Sequence, residues 1–227
     1  MIKLYNQDCL KVMEAMAKRG ETVDLILTDP PYELRVGGGG IADKIALHRD
    51  RKIDFIAHGF DYQQCFELFL QIQKIPNMVI FCSNKQILKF LLFFHNKGLS
   101  TTLLTWKKLN PPPLVNNKHL GDLEYLIYVR GAGASFNNGV PIEYKQKCFS
   151  SNLVNQKDKI HPTQKNLEHI KRLIALHSYE GEVVFDPFMG SGVVGIASTM
   201  LNRSFIGCEL SPLYFSLSSN RIKNIGA

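Results

Sequence analysis

Short apolar runs alternate along the chain with polar segments and with stretches of helical spacing. The predicted strands cover residues 2–4, 23–28, 78–82, 99–106, 123–129, 183–185 and 205–208. The predicted helices cover residues 9–17, 86–95 and 193–201, and a last one begins at Ser211-Pro212. Strands that alternate with helices predict an α/β fold, a doubly wound and mostly parallel sheet.

Two long segments lack this pattern. Residues 33–58 contain four successive glycines and alternating charges, which predicts a loop that we interpret as a lid. Residues 132–160 are rich in Gly, Asn, Ser and Lys and are predicted to form a second long loop. Because 227 residues suffice for one sizeable core, we expect a single domain with a small appendage.

Composition and cysteine use exclude several classes of protein. Hydrophobic residues make up 45% and charged residues 21%, as in an average soluble globular chain. No apolar run approaches the ~18 residues of a membrane helix, and residues 1–10 do not resemble a secretory signal. The five cysteines form no C-x-x-C pair, and His161, His169 and His177 lack ligand-like spacing, so neither a disulfide framework nor a metal site is expected. We therefore expect a cytoplasmic protein without metal.

Positive charge is concentrated in the middle of the chain. The net charge is +7, and residues 107–172 alone carry 11 basic and 5 acidic side chains, a net of +6. This distribution is compatible with a solvated lysine-rich surface and with a face that binds nucleic acid.

Residues 190–195 match the glycine pattern G-x-G-x-x-G between a predicted strand and a predicted helix. Glu209 ends the next strand 19 residues after Gly190, where a carboxylate can accept hydrogen bonds from ribose hydroxyls. Asp186, just before the glycines, would repel the pyrophosphate of a dinucleotide. Its charge suits the ammonium and sulfonium groups of S-adenosylmethionine, which argues against NAD.

A second motif, D-P-P-Y at residues 29–32, directly follows the predicted strand 23–28. This position is a carboxyl edge of the sheet, where ligands bind. The two prolines restrict the backbone and hold the acid and the aromatic ring at a defined separation. An acid that accepts N–H hydrogens beside a ring that stacks on a base suits chemistry on an extruded nucleobase. A turn that merely ends a strand is the alternative.

With these motifs the sequence resembles the β class of S-adenosylmethionine-dependent DNA amino-methyltransferases. D-P-P-Y resembles the catalytic motif of the class, D-P-F-M-G-S-G at residues 186–192 its cofactor motif, and H-P-T-Q-K at residues 161–165 the segment before its cofactor helix. The order of the motifs is that of the β class, a circular permutation of the usual methyltransferase. The resemblance implies a Rossmann-like methyltransferase domain over residues 1–227, with a target-recognition region at residues 107–160.

The resemblance also implies roles for individual residues. The implied catalytic residues are Asp29, Pro30, Pro31 and Tyr32: Asp29 and the Pro30 carbonyl accept hydrogen bonds from the target amino group, and Tyr32 stacks on the flipped base. The implied cofactor-binding residues are Asp8, Cys9, Thr163, Lys165, Asp186, Phe188, Gly190, Ser191, Gly192 and Glu209. Asp8 matches a position that contacts the adenine of the cofactor, and Thr163 and Lys165 match positions near its methionine carboxylate. Without the resemblance, Asp8 would be a turn residue and Lys165 a solvated helix start.

Residues 106–113 resemble the W-x-K-x-N-P-x-P stretch of the class, beside its DNA cleft. The predicted DNA contacts are Lys107, Lys108, Asn110 and Lys118. A rigid polyproline turn without a role in DNA binding is the alternative.

We therefore expect a site-specific methyltransferase that modifies adenine N6 in double-stranded DNA with S-adenosylmethionine. Cytosine N4 is the alternative target, and a DNA-binding relative without catalysis is the alternative class. Methylation of RNA or of a protein glutamine is less favoured, because those enzymes more often have N-P-P-Y. A homodimer and a separate cognate restriction endonuclease stay open as partners.

Overall fold

A computed structural model describes residues 1–31, 61–113, 119–155, 157, 159–161 and 164–225. Its strands are β1 (Ile2–Tyr5), β2 (Leu25–Thr28), β3 (Asn77–Cys82), β4 (Ser100–Lys108), β5 (Leu123–Arg130), β6 (Cys148–Ser151), β7 (Val183–Asp186) and β8 (Ser204–Cys208). Its helices are α1 (Cys9–Lys18), α2 (Tyr62–Gln71), α3 (Ile87–Asn96), α4 (Leu167–His177), α5 (Val193–Met200) and α6 (Pro212–Ile225), with a 3₁₀ helix at Ile142–Lys145.

The strands form one sheet in the order β1-β8-β7-β2-β3-β5-β4-β6. Every neighbouring pair is parallel except the two that involve β5, which runs antiparallel to both β3 and β4. The carboxyl ends of seven strands therefore lie at one edge of the sheet, together with the amino end of β5. We call this the carboxyl edge. The predicted mostly parallel α/β fold is confirmed.

Helices cover both faces of the sheet. Buried side chains of α1, α2 and α3 pack on one face, and those of α4, α5 and α6 pack on the other. All six residues of β3 are buried, as expected for a central strand covered on both faces. On the first face Phe66 stacks on Phe94 and meets Phe90 edge-on, with ring centroids 4.9 and 4.8 Å apart.

Four described elements lie outside the predicted strands and helices, namely α2, α4, β6 and the 3₁₀ helix. Strand β6 falls in the segment predicted to be a long loop, and it pairs only with β4, in parallel. Its four residues contain one buried side chain, Phe149, so the sequence carries almost no apolar alternation. Helix α2 does carry a signal, because Asp61 accepts hydrogen bonds from the N–H groups of Gln63 and Gln64 and so caps it.

The segment predicted as a target-recognition region contributes to the main sheet. Strands β5 and β6 lie within residues 107–160, and β5 pairs with β3 and β4. The described stretches outside the sheet belong to the connection between β4 and β5, the connection between β5 and β6, and the residues that follow β6. The predicted lid at residues 33–58 lies outside the described residues.

The described helices include none that is long and apolar enough to cross a bilayer. In the same part of the chain, no group of three or more His, Cys, Asp or Glu side chains is arranged to hold a metal ion. All five cysteines are free, and four of them are buried.

Close packing at Gly195 of α5 gives a test of the fold. A Cβ atom there would lie 2.6 Å from the ring of Phe205, a fully buried side chain of β8, and 2.5 Å from Cδ1 of Ile222. Gly195→Ala should therefore cost about 1–3 kcal/mol through overpacking. For a chain of this size, the melting temperature should fall by roughly 3–10 °C.

Differential scanning calorimetry measures this shift, with Gly121→Ala as the control. A Cβ at Gly121 would meet no atom within 4 Å, so this variant should melt close to the wild type. Equal melting temperatures for the two variants would contradict the packing of α5 on β8.

Candidate active site

The four acidic residues that were predicted to form the site lie along the carboxyl edge. Asp29 directly follows β2, Asp186 ends β7, Glu209 directly follows β8, and Asp8 lies between β1 and α1. The strands β1, β8, β7 and β2 are consecutive in the sheet, so these acids lie on neighbouring strands. The topology therefore brings the predicted catalytic acid beside the predicted cofactor residues.

The carboxylate of Asp186 is buried, and one of its oxygens has two donors. Oδ1 accepts a hydrogen bond from the Thr28 hydroxyl at 2.8 Å and another from the Phe188 N–H at 3.1 Å. Burial raises the pKa of Asp186 to about 7, although both hydrogen bonds oppose the shift. No Lys, Arg or His among the residues that the structure describes forms an ion pair with it. A cationic ligand group would stabilise its ionised form.

The carboxylate of Glu209 holds the glycine turn against the end of β8. Its Oε2 accepts from the Gly190 N–H at 2.9 Å, and its Oε1 accepts from the Ser211 N–H at 2.8 Å. A carboxylate has about four lone-pair sites, more than these two backbone donors use. The geometry fits the predicted contact with ribose hydroxyls.

The glycines of the predicted cofactor motif serve different purposes. Gly190 has a φ of +50° beside the His161 ring, and its conformation lets the chain turn at the carboxyl edge. Gly192 precedes α5 with a φ of +75°, and a Cβ there would lie 2.9 Å from Cβ of Ser218 in α6. Gly192 thus permits the packing of α5 on α6. Ser191 between them is buried, and its carbonyl accepts from the Arg221 guanidinium at 2.7 Å.

Asp8 and Cys9 start α1 at the same edge. The Asp8 carboxylate accepts from the Leu10 N–H at 2.9 Å and caps the helix. The Cys9 side chain belongs to the core, and burial raises the pKa of its thiol to about 12. A contact between Cys9 and the cofactor would therefore be made by the Cys9 backbone.

Asp29 is part of a chain of alternating charges. The Lys165 ammonium lies 3.0 Å from Oδ2 of Asp29 and 2.7 Å from Oε2 of Glu124. The other oxygen of Glu124 lies 3.1 Å from the Lys108 ammonium. The Lys165 ammonium also lies 4.6 Å from the centroid of the Phe81 ring. We call Lys108, Glu124, Lys165 and Asp29 the charge chain.

Burial and charge oppose each other in this chain. Burial alone would lower the pKa of Lys165, but the carboxylates of Asp29 and Glu124 raise it above its ordinary value. Burial likewise would raise the pKa of Glu124, but Lys165 and Lys108 hold it below its ordinary value. Both groups are therefore charged at neutral pH.

Sequence reasoning missed two residues that support the catalytic motif. Gln86 is buried, and its amide donates to the Pro31 carbonyl at 3.2 Å while accepting from Ser83. Glu124 is the other. It is a carboxylate on the same strand face as Leu126 and Tyr128, which are buried. Strand alternation could have indicated Glu124, whereas no local signal indicates Gln86.

The structure shows the surroundings of the predicted contacts. Lys165 is buried, which excludes the solvated helix start that the sequence would indicate without the resemblance. The Lys108 side chain is 14% exposed and bound to Glu124. The side-chain oxygen of Asn110, an exposed residue, accepts from the Leu153 N–H at 2.6 Å. DNA contacts of these two residues stay predictions. Lys107 is exposed, as predicted for a DNA contact.

Three of the predicted site residues, Tyr32, Lys118 and Thr163, lie outside the described residues.

Comparison with known proteins decides the family. The model of a DNA methylase family matches residues 23–220, most of the chain. The chain belongs to this DNA methylase family. The predicted family and reaction class are thereby confirmed.

Relatives of this DNA methylase match it along almost its whole length. It is 26% identical to the type II methyltransferase M2.LlaDCHI of Lactococcus lactis subsp. cremoris, over 99% of this chain and 90% of that protein. It is also 26% identical to the type II methyltransferase M2.DpnII of Streptococcus pneumoniae, over 97% of this chain and 89% of that protein.

A solved structure agrees in fold with this DNA methylase. The crystal structure of the M1.HpyAVI–SAM complex has a TM-score of 0.76 and 26% identity, and the match covers 98% of this chain and 99% of that one. S-adenosylmethionine, bound in that complex, is the cofactor predicted here. The residues of this chain fit it, because Asp186 offers a buried carboxylate to a cation and Glu209 offers oxygens to hydroxyls.

The raised pKa of Asp186 predicts how binding of S-adenosylmethionine depends on pH. With a pKa of about 7 in the free protein, the carboxyl is mostly protonated at pH 6 and mostly ionised at pH 7.5. The ammonium group of the ligand favours the ionised form, so affinity should rise roughly eightfold between these pH values. Isothermal titration calorimetry at both pH values measures the ratio.

Asp186→Asn provides the control, because it cannot ionise. It should bind more weakly at both pH values and lose the dependence on pH. The same eightfold rise in Asp186→Asn would assign the dependence to another group.

Proposed function

We propose that this DNA methylase transfers a methyl group from S-adenosylmethionine to the exocyclic N6 of an adenine flipped out of duplex DNA. The observation that carries the proposal is the position of Asp29. It lies at the carboxyl edge directly after Thr28, which donates a hydrogen bond to Asp186. The predicted target acid and the predicted cofactor acid are therefore linked through one side chain.

The cofactor side of the cleft follows from the acids along the carboxyl edge. S-adenosylmethionine supplies an electrophilic methyl group on a sulfonium when it is bound. Asp186 binds its ammonium group, Glu209 accepts hydrogen bonds from its ribose, and Asp8 contacts its adenine. Phe188 lines the same cleft and packs, partly buried, against the core. Thr163 is proposed to lie near the methionine carboxylate of the cofactor.

The target side of the cleft is formed by the D-P-P-Y motif. Asp29 and the Pro30 carbonyl accept hydrogen bonds from the target amino group and withdraw its lone pair from conjugation with the ring. Tyr32 stacks on the base. The freed lone pair forms the new N–C bond while the electron pair of the S–C bond stays on sulfur, and the surplus proton leaves the nitrogen for water. Positioning and electrostatics supply most of the rate enhancement, so Asp29 need not be a strong base.

Adenine is favoured over cytosine by the resemblance of D-P-P-Y to adenine enzymes, in which the acid more often comes first. The matching family model is named for both N6 and N4 enzymes. Both bases present an amino group beside a ring nitrogen, which leaves the acid and the ring suitable for either. Mass spectrometry of digested product DNA tests this choice, and N4-methylcytosine as the main product would overturn it.

Duplex DNA is proposed to lie across the connection between β4 and β5, which begins at the same edge of the sheet as Asp29. Residues 107–172 carry most of the net positive charge of the chain, +6 of +7, which suits a polyanion. The exposed Lys107 and, in the proposal, Lys118 contact phosphates. Within a single domain of residues 1–227, residues 107–160 are the proposed target-recognition region.

Further partners belong to the same proposal. A second copy of the chain would form a homodimer, which sedimentation analysis tests. A separate restriction endonuclease would cleave the same sequence when it is unmethylated. The substrate places the protein in the compartment that contains the genome, which for a bacterial cell is the cytoplasm.

Asp29→Ala tests the proposed function most simply. We expect methyl transfer to duplex DNA to fall at least 100-fold, because the variant removes an acceptor for the target amino group. Affinity for S-adenosylmethionine should stay within a few-fold, because Asp29 contacts the base rather than the cofactor. Single-turnover methylation and calorimetry measure the two effects. A large loss of cofactor affinity would contradict the assignment of Asp29 to the target.

Lys107→Gln tests the proposed DNA face. Each lost phosphate contact makes the slope of log affinity against log salt shallower by about 0.9, for specific and random duplexes alike. Fluorescence anisotropy at several salt concentrations measures the slope. Lys223→Gln, an exposed lysine near the end of α6, is the control and should leave the slope unchanged. A slope equal to that of the wild type in Lys107→Gln would mean that DNA enters elsewhere.

A further inference from the structure

We propose that Glu124 is a positioning residue for methyl transfer, which acts through Lys165 to orient the Asp29 carboxylate toward the target base. The inference rests on the proposed function and adds to it a residue that touches neither the base nor the cofactor. It gives Lys165 a different task from the contact with the cofactor carboxylate that sequence resemblance implies.

The reversed direction of β5 brings Glu124 to the carboxyl edge. The antiparallel β5 begins where the parallel strands end, and Glu124, its second residue, lies opposite Trp106 of β4. The Glu124 carboxylate faces the same side of the sheet as the Lys165 ammonium, at 2.7 Å. A parallel strand in this place would present its carboxyl end instead.

The Lys165 ammonium connects two carboxylates that come from different strands. It lies 3.0 Å from Asp29 after β2 and 2.7 Å from Glu124 in β5, while β3 lies between these two strands in the sheet. The side chain of Lys165 is 8% exposed, and the ring of Phe81 in β3 covers one side of the ammonium. The Lys165 ammonium is therefore held by two carboxylates and by contact with the Phe81 ring.

Sharing the ammonium changes what Asp29 can do. A carboxylate that is the sole partner of a buried ammonium would give it both oxygens and would be a weaker acceptor for other donors. Because Glu124 binds the same ammonium, Asp29 needs to give it only Oδ2. The contact through Oδ2 then sets the orientation of the Asp29 carboxylate, on which its hydrogen bond to the target amino group depends.

Lys108 completes the arrangement. Its ammonium binds the second oxygen of Glu124, so the carboxylate cannot rotate away from Lys165. The Lys108 N–H also donates to the Asp122 carbonyl at 2.7 Å, which ties β4 to the residue before β5. The charge chain thus joins the proposed target-recognition region to Asp29.

Glu124→Gln tests the proposal, with Glu168→Gln as the matched control. Glutamine keeps the shape of the Glu124 side chain and removes its charge. The positive charge of Lys165 is still paired with the negative charge of Asp29 in the variant. Glu168 is an exposed residue in the first turn of α4, and it pairs with a different lysine, Lys171 at 3.2 Å. The control should behave as the wild type in every measurement.

We expect the single-turnover rate of Glu124→Gln to fall about 10- to 100-fold, because the acceptor is misdirected. The Kd values for S-adenosylmethionine and for duplex DNA should stay within about threefold of the wild type. A merely structural role would instead lower the melting temperature and leave the rate of the folded fraction unchanged. The proposal is overturned by an unchanged rate, or by a loss of cofactor affinity that equals the loss of rate.

The alkaline limb of the rate profile gives a second readout. In the described part of the chain, the groups that face Lys165 include Asp29 after β2, Glu124 of β5 and the Phe81 ring of β3, and Lys108 of β4 acts through Glu124. Without the Glu124 charge, Lys165 should lose its proton at lower pH, so the alkaline limb should move to lower pH. An alkaline limb that stays in place would contradict the proposal.

Glu124→Asp keeps the test decisive if the glutamine variant does not fold. It retains the charge on a shorter side chain, so its rate should lie between those of the wild type and Glu124→Gln, with unchanged Kd for the cofactor. A wild-type rate in Glu124→Asp, with Glu124→Gln unfolded, would make the role of Glu124 structural and overturn the proposal. Failure of the proposed function is distinguishable, because the wild-type protein itself would then make no N6-methyladenine.

Discussion

The Lys165 ammonium, held between the carboxylates of Asp29 and Glu124, is the interaction on which the site depends. A lysine this deeply buried is strongly unfavourable unless it is paired, and removal of one partner of a buried ion pair typically costs about 3–5 kcal/mol. Here two carboxylates and an aromatic ring compensate for the lost hydration. The same contacts fix the acid that the proposed reaction needs.

The order and directions of the strands make this contact and the cofactor cleft compatible. On one side of β2, Asp29 meets Lys165, and on the other side Thr28 binds Asp186 of β7. On the far side of β3, the reversal of β5 brings Glu124 to the same edge. The end of β2 is therefore the place where the cofactor half and the target half of the cleft meet. A shift of β2 by one residue would disturb both halves at once.

The chemical roles of single residues were easier to predict from the sequence than the contacts between residues. The two motifs and the strands that precede them were predictable because glycines, prolines and acids at strand ends have local physical reasons. The burial of Lys165 was not predictable because it depends on Glu124, which is 41 residues away in the sequence. Strand β6 was missed because an edge strand of four residues, one of them buried, is held by backbone pairing with β4 rather than by an apolar pattern. The ion pair of Lys108 with Glu124 was not predictable either, because charge alone does not tell an exposed lysine from one bound to a glutamate.

A crystal structure of the protein with a duplex that contains its recognition sequence and a non-reactive analogue of S-adenosylmethionine tests the central claim most directly. The account predicts a flipped adenine whose amino nitrogen lies about 3 Å from an Asp29 oxygen. It also predicts that the Lys165 ammonium still bridges Asp29 and Glu124 in that complex. A Lys165 ammonium bound to the carboxylate of the cofactor analogue, with Asp29 turned away from the base, would contradict it.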